Sequence, residues 1–330
     1  MAYSLGIDIG GTNIKAGVVD GDCNIVASCK IKTNSAQGSG EVLKKIAEAG
    51  EAAVKESKIP ISEIRWVGMG CPGTCNPETG LVEYSNNLKW ENVPLQKTVA
   101  EALHIPAYIE NDANAAALGE YYAGAAKGSK SAVVITLGTG LGAGIIINGK
   151  LFSGSNYAGA EIGHTVLNPD GDQCTCGRKG CFETFCSATA LVKYTKRAIE
   201  AHPDSFLAEA ARQEGRVSGR TAFNAAKSGD KYGKEVVDRF IEYLACGLIN
   251  TINIFQPDIL CIGGGVSNEG DNLLNPLKKR IRQEVYSKNS SHNTKIVLCS
   301  LGNKSGIIGA ALLGRQYIKQ NDRLYEESGT

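Results

Sequence analysis

At 330 residues the chain is longer than one compact core serves well, so two domains are expected. Lysine plus arginine total 35 against 34 aspartate plus glutamate, a net charge of +1. That balance offers no footprint for nucleic acid or for an anionic membrane. The 11 cysteines are an odd number, mostly scattered, and the N-terminal residues run into a strand pattern rather than a secretory leader. The thiols therefore read as free, in a reducing cytoplasm. The most apolar run, residues 132–147, is broken by glycines and threonines, which excludes a membrane span.

In chain order, residues 3–9 (Y-S-L-G-I-D-I) form a β-rich run that ends in Gly10-Gly11-Thr12-Asn13. A second run covers 14–19 and a third 24–31, joined through Asp20-Gly21, a hairpin signal. Residues 41–58 have the helical period, with Val42, Ile46, Ala49, Ala53 and Val54 apolar. A strand at 65–70 leads into the turn Cys71-Pro72-Gly73. An extended piece at 81–84 leads into a polar loop, S-N-N-L-K-W, at 85–90. A strand at 107–110 is followed by Asn111-Asp112 and an alanine-rich helix at 113–122. Asp112 sits where an N-cap belongs. The same place suits a catalytic base, because the helix dipole favours an ionised carboxylate and ligands of open α/β sheets bind at carboxyl ends of strands. On position alone the capping role takes precedence.

Residues 132–153 repeat the N-terminal plan: a strand at 132–136, a Gly138-Thr139-Gly140-Leu141-Gly142 turn, a strand at 143–147, an Asn148-Gly149 hairpin, and a strand at 150–152. The repeat implies a duplicated architecture whose halves each carry a Gly/Thr turn. Consecutive N–H groups in such a turn form a nest for anionic oxygens, and absence of Cβ lets a phosphate come close. Gly138-x-Gly140-x-x-Ala143 formally matches a dinucleotide fingerprint. That motif must open a helix, however, and here a β-branched strand and a hairpin follow, so a phosphate-binding hairpin is expected instead.

Residues 161–183 read E-I-G-H-T-V-L-N-P-D-G-D-Q-C-T-C-G-R-K-G-C-F-E. His164, Cys174, Cys176 and Cys181 offer four soft donors, the set a closed, tetrahedral structural zinc requires. The C-x-C-x4-C spacing matches generic zinc patterns only in part. A disulfide is the competing reading, and the reducing compartment argues against it. The metal would hold its flanks, Glu161 and Glu183. Beyond it come a helix at 184–200, short helical pieces within 205–232, and a long helix at 235–255 stopped by Pro257. A strand at 258–262 empties into Gly263-Gly264-Gly265, a close-approach site for part of a nucleotide. A helix at 273–285, a strand at 295–299 and a helix at 306–319 complete the chain.

These pieces resemble the ROK family of sugar kinases, most of all its bacterial glucokinase branch. The likeness rests on L-G-I-D-I-G-G-T-N-I-K (5–15), C-P-G (71–73), N-N-L-K-W (86–90), E-N-D-A-N (110–114), L-G-T-G-L-G-A-G (137–144), E-I-G-H (161–164), C-x-C-G-x2-G-C-x-E (174–183) and G-G-G-V (263–266). It implies an actin-like, ribonuclease-H-like duplicated α/β fold with two domains around a central cleft. The expected division is a smaller domain of 1–118 plus 315–330 and a larger one of 119–314 carrying the zinc segment 161–183. It implies an ATP-dependent hexose kinase making glucose 6-phosphate, with Asp112 as general base, a role that then overrides capping. Gly73, Asn87, Asn111, Asp112, Glu161, His164 and Glu183 would hold the sugar. Asp8, Gly10, Gly11, Thr12, Asn13 and Lys15 would face the ATP phosphates and Mg²⁺, Gly138, Thr139 and Gly140 the other side, and Gly264 and Gly265 the adenosine. A kinase for fructose, allose, N-acetylmannosamine or N-acetylglucosamine is the nearest alternative. A non-catalytic sugar-sensing regulator is another; family repressors carry a DNA-binding region before the first strand, and here that strand begins at once. A cytoplasmic homo-oligomer, a dimer, is expected.

Overall fold

The structure is a computed structural model that describes residues 3–327, with side chains described as far as Tyr317. The chain groups into two compact units. The first comprises Met1–Ala132, Gly144–Ala160 and Ser300–Thr330; the second comprises Val133–Ala143 and Glu161–Cys299.

The first unit opens with β1 (Tyr3–Ile9), β2 (Asn13–Val19) and β3 (Ile25–Lys32), an antiparallel meander. Helix α1 (Ser39–Ser57), β4 (Ile64–Cys71), the small antiparallel set β5 (Thr74–Asn76), β6 (Leu81–Ser85) and β7 (Trp90–Val93), and α2 (Leu95–Leu103) follow. Next come β8 (Ala107–Asn111) and α3 (Asp112–Ala123). The main sheet has the order β3-β2-β1-β4-β8, with β4 parallel to both neighbours. Buriedness along each strand reflects its place. Edge strand β3 alternates half-buried and exposed, whereas β1 and β4 are buried on both faces, as parallel strands covered by helices are. One cover is α1, whose Val42, Ile46, Ala49 and Ala53 are fully buried. The other is α10 (Ser305–Glu327), packed on α3, β1 and β4. Gly6 and Gly68 are register partners beneath it. A Cβ on Gly68 would lie 1.8 Å from the Ala310 carbonyl oxygen, so the helix backbone can approach only over glycine.

After α3 come β9 (Ala132–Leu137), β10 (Leu141–Ile147) and β11 (Lys150–Leu151). The second unit then supplies α4 (Phe182–Cys186), α5 (Ala188–Ala201), α6 (Phe206–Gln213), α7 (Thr221–Lys227), α8 (Lys231–Phe255), β12 (Ile259–Gly263), α9 (Asp271–Glu284) and β13 (Lys295–Leu298). The second sheet, β11-β10-β9-β12-β13, repeats the strand order of the first. This is the duplicated plan that the paired hairpins implied, and it is the α/β arrangement expected of the actin-like, ribonuclease-H-like fold that the resemblance implied. Helix α8 buries Val236, Phe240, Ile241, Leu244, Leu248 and Ile252. It ends at Gln256 in the left-handed region (φ 40°), before Pro257.

One expectation is corrected. The segment 184–200 is not one helix: Ser187 (ψ 169°) interrupts it, and its hydroxyl caps α5 by accepting from Ala190 N–H at 3.1 Å. The two compact units divide the chain at other places than the 118 and 315 expected for the domains. Residue 118 lies within α3, and α10 joins the first unit from its first turn because its whole packed face lies on that unit's sheet and on α3. Residues 1–2 and 328–330 of the expected smaller domain lie outside the described residues.

Candidate active site and metal centre

In the first unit the register places Asp8 opposite Gly70, and Gly70 opposite Glu110. The ends of β1, β4 and β8 therefore line up Asp8, the Cys71–Gly73 turn and Asn111–Asp112, at the strand termini where such sheets bind ligands. Asp8 Oδ2 pairs with Lys15 Nζ at 2.9 Å, and its carboxylate abuts Gly306 at the start of α10. The neighbouring turn is fixed from behind: Gly10 N–H donates to Asn13 O (3.0 Å), Thr33 Oγ1 to Gly10 O (2.6 Å) and Thr33 N–H to Thr12 O (3.0 Å). Gly11 and Thr12 remain exposed at its tip. An acidic oxygen beside an exposed Gly/Thr turn is a donor set that fits Mg²⁺ and phosphate.

The cap of α3 is Asn111, not Asp112, which corrects the positional reading. Asn111 has extended geometry (φ −57°, ψ 144°). Its Oδ1 accepts from the N–H groups of Ala113 (2.9 Å) and Asn114 (3.2 Å). Its Nδ2 donates to Gly73 O at 3.1 Å. Asp112 is thus the first helical residue, and its Oδ1 also accepts from Ala113 N–H at 2.9 Å. Gly73 (φ 115°) is pinned as well, since a Cβ there would lie 2.1 Å from Tyr84 O. Asn87 is exposed on the 85–90 loop, two residues from the buried Ser85 whose hydroxyl accepts from Leu88 N–H at 3.3 Å.

In the second unit, His164, Cys174, Cys176 and Cys181 bring their ligand atoms within 4.8 Å of one another. Cys174 Sγ lies 3.6 Å from His164 Nδ1, and Cys176 Sγ lies 3.6 Å from Cys181 Sγ. Such spacings fit four donors around one tetrahedral ion with bonds of about 2.0–2.3 Å. Burial and the adjoining Cys176 and Cys174 push the Cys181 thiol up to about 12, a repulsion between sulfurs that a cation offsets. The knuckle is tied by Cys174 N–H to Arg178 O (2.8 Å) and by Gly180 N–H to Asp172 O (2.9 Å), and Asp172 pairs with Lys193 of α5.

With Nδ1 toward the sulfurs, His164 turns Nε2 toward Glu161 Oε2, 4.0 Å away. Desolvation raises the Glu161 pKa; His164 opposes this and the Glu183 charge adds to it. Glu183 is set by α4, whose Phe182 packs its ring over Gly247 of α8 and whose Phe185 stacks on Tyr243 at 4.3 Å. Its Oε2 accepts from Leu141 N–H at 2.8 Å, and a Cβ on Gly140 would sit 2.1 Å from that oxygen. The Gly138–Gly140 turn is closed by Gly138 N–H to Gly140 O (3.0 Å). It is docked on α5 by Ala188 N–H to Gly138 O (2.9 Å) and by Thr189 Oγ1 to Thr139 O (2.7 Å). Gly264 (φ 83°) packs against Leu137 at the end of β9, so the G-G-G turn adjoins the same hairpin; Gly265 follows it, exposed.

The first unit therefore gathers Asp8, Gly10–Asn13, Lys15, Gly73, Asn111 and Asp112 at one end of its sheet's strands. The second gathers Gly138–Gly140, Glu161, His164, Glu183, Gly264 and the candidate metal ligands Cys174, Cys176 and Cys181. The sequence reading missed Glu110, buried beneath Asn111, and the supporting Thr33, Ser187 and Thr189. Only Glu110 carried a signal, as the acidic start of E-N-D-A-N.

Residues 4–317 match the profile of the ROK family. The glucokinase of Halalkalibacterium halodurans is 35% identical over 316 residues, 95% of this chain and 95% of that protein. The xylose repressor of Caldicellulosiruptor bescii is 34% identical over 260 residues, 78% of this chain and 64% of the repressor. Among solved structures, a ROK family glucokinase from Streptomyces griseus in complex with glucose and AMPPNP superposes with a TM-score of 0.83. It is 34% identical, and the match covers 96% of this chain and 100% of that one.

Proposed function

The chain belongs to the ROK family, and from that premise we propose that it is an ATP-dependent hexose kinase that phosphorylates glucose to glucose 6-phosphate. The start of α3 carries the reading: Asn111 supplies the cap, and Asp112 is the first helical residue, where the positive end of the helix favours the ionised carboxylate that a base requires. Asp112 takes the proton of the sugar 6-hydroxyl as that oxygen attacks the γ-phosphorus in line with the departing ADP oxygen. Phosphoryl transfer depends on positioning and charge neutralisation more than on covalent help. In this reading Gly73, Asn87 and Asn111 of the first unit, and Glu161, His164 and Glu183 of the second, are the residues that hold sugar hydroxyls. The turns Gly10–Asn13 and Gly138–Gly140 present N–H groups and threonine hydroxyls to the phosphates, Lys15 adds charge, and Gly264–Gly265 receive the adenosine. Asp8 would hold Mg²⁺, which supplies neutralisation of the β- and γ-phosphate oxygens when bound. His164, Cys174, Cys176 and Cys181 would hold a structural zinc whose part is to fix Glu161, His164 and Glu183; elemental analysis should find one zinc per chain, and none would end that part.

A coupled ADP-release assay over a hexose panel tests the reading. Glucose should give the highest kcat/KM, ahead of fructose, allose, N-acetylglucosamine and N-acetylmannosamine. Another winner would move the substrate. The repressor relative favours a second reading, a sugar-sensing regulator; such a chain would bind sugar in calorimetry and release no ADP with any of them. We place the chain in the cytoplasm, where ATP is made and thiolate ligands stay reduced, and carry forward the homodimer, which a monomer mass in sedimentation would contradict.

A further inference from the structure

Glu110 is the fourth residue of β8 and is only 1% exposed. Strand alternation sends Ile109 into the apolar core and turns Tyr108 and Glu110 the other way, where Tyr108 stacks on Tyr317 of α10 at 5.6 Å. The carboxylate is held entirely by neutral donors. Oε1 accepts from Asn111 N–H (2.9 Å) and Asn114 Nδ2 (3.0 Å), and Oε2 from Tyr317 OH (3.1 Å) and Ser153 Oγ (3.3 Å). Asn114, itself buried, makes no other side-chain hydrogen bond among the described residues. An acid buried among hydroxyls and amides is an expensive choice if only hydrogen bonding is wanted. Glutamine would serve. Its Oε1 could accept from Asn111 and Asn114, and its amide could donate to the two hydroxyls, whose oxygens also accept.

The site therefore retains a carboxyl group where a neutral isostere fits, two residues from Asp112. Around it stand Cys75 of β5, Tyr157 after β11, Tyr317 of α10 and Asp112 of α3, and the Glu110 charge opposes ionisation of Cys75, Tyr157 and Tyr317. We propose that Glu110 is a buried positioning residue for Asp112: its carboxylate locks the Asn111 turn to α10 and to Ser153, and its negative charge strengthens the neighbouring carboxylate as a base. This rests on the reading of Asp112 as general base. It assigns Glu110 no contact with substrate.

The test compares E110Q, Y317F and D112N by glucose calorimetry, thermal melting and steady-state kinetics. E110Q should melt no lower than wild type and bind glucose within about twofold, yet lose about tenfold in kcat. A merely structural Glu110 would leave kcat within twofold of wild type, and that result overturns the proposal. Should E110Q not fold, Y317F decides, because it keeps the charge and removes one anchor. A several-fold fall in kcat at unchanged glucose affinity supports the proposal, and an unchanged kcat overturns it. If D112N keeps full turnover, the base reading fails whatever E110Q does. If D112N is inactive and E110Q is normal, only the present proposal fails.

Discussion

Asn111 and Asp112 are adjacent, similar in size and equally able to cap a helix, yet they divide the work between them. Asn111 spends its oxygen on two N–H groups and its amide on Gly73, and Asp112 stands one residue further, inside the positive end of α3. Replacing Asp112 by asparagine keeps shape and removes the proposed proton acceptor. Circular dichroism and melting should be unchanged while turnover falls about 10²–10⁴-fold; turnover near wild type would remove Asp112 from the role. Glu110 adds a prediction about stability. Desolvation raises its pKa against the lowering effect of its four donors, so the folded state binds that proton more tightly than the unfolded chain. The resulting cost to folding is complete above the folded pKa, shrinks as pH falls, and vanishes below the ordinary glutamate range. Denaturant unfolding should show E110Q gaining on wild type near neutral pH, with the gap closing in mild acid. A gap independent of pH would contradict the assignment. E-N-D-A-N showed the sequence reader a strand end with polar chemistry. It did not show which residue caps, because that depends on one ψ angle, nor that Glu110 is buried, because its donors come from residues as distant as 153 and 317.

Elements hold the residues at fixed depth, and the contacts that do so are specific enough to break. Gly140 can only be glycine while Glu183 bonds to Leu141 N–H, since an added Cβ would sit 2.1 Å from the carboxylate oxygen. G140A should therefore displace Glu183 and raise the KM for sugar at unchanged thermal stability; a normal KM would show that Glu183 is not needed where it stands. The Cys/His knuckle, with the proposed zinc, would act on the same groups. C176S, or removal of zinc by a chelator, should raise the glucose KM about tenfold or more and the ATP KM by less. Equal effects on both substrates would point to global loosening. Under α10, G68A puts a methyl group 1.8 Å from the Ala310 carbonyl oxygen and should cost roughly 1–3 kcal/mol or more in denaturant unfolding. The cysteine spacing, the glycine turns and the apolar periods were legible because each is a local chemical requirement. The break at Ser187 was not. A serine inside a helical period is locally tolerable, and only the docking of α5 on the Gly138 carbonyl selects the cap.

At the scale of the molecule, the repeated strand, Gly/Thr turn, strand and hairpin disclosed the duplication, and both five-stranded sheets carry it in the same order. Unit boundaries were less legible, because α10 belongs to the first unit through glycine-bared contacts more than two hundred residues away, which no local pattern announces. The account's central claim is a reaction, transfer of the ATP γ-phosphoryl group to a sugar hydroxyl by the intact chain. Phosphorus NMR of a mixture of enzyme, MgATP and glucose follows donor and product together. The account predicts that ATP declines, ADP grows, and a sugar 6-phosphate ester appears in equal amount. ATP that persists, or that yields inorganic phosphate without the ester, would contradict it.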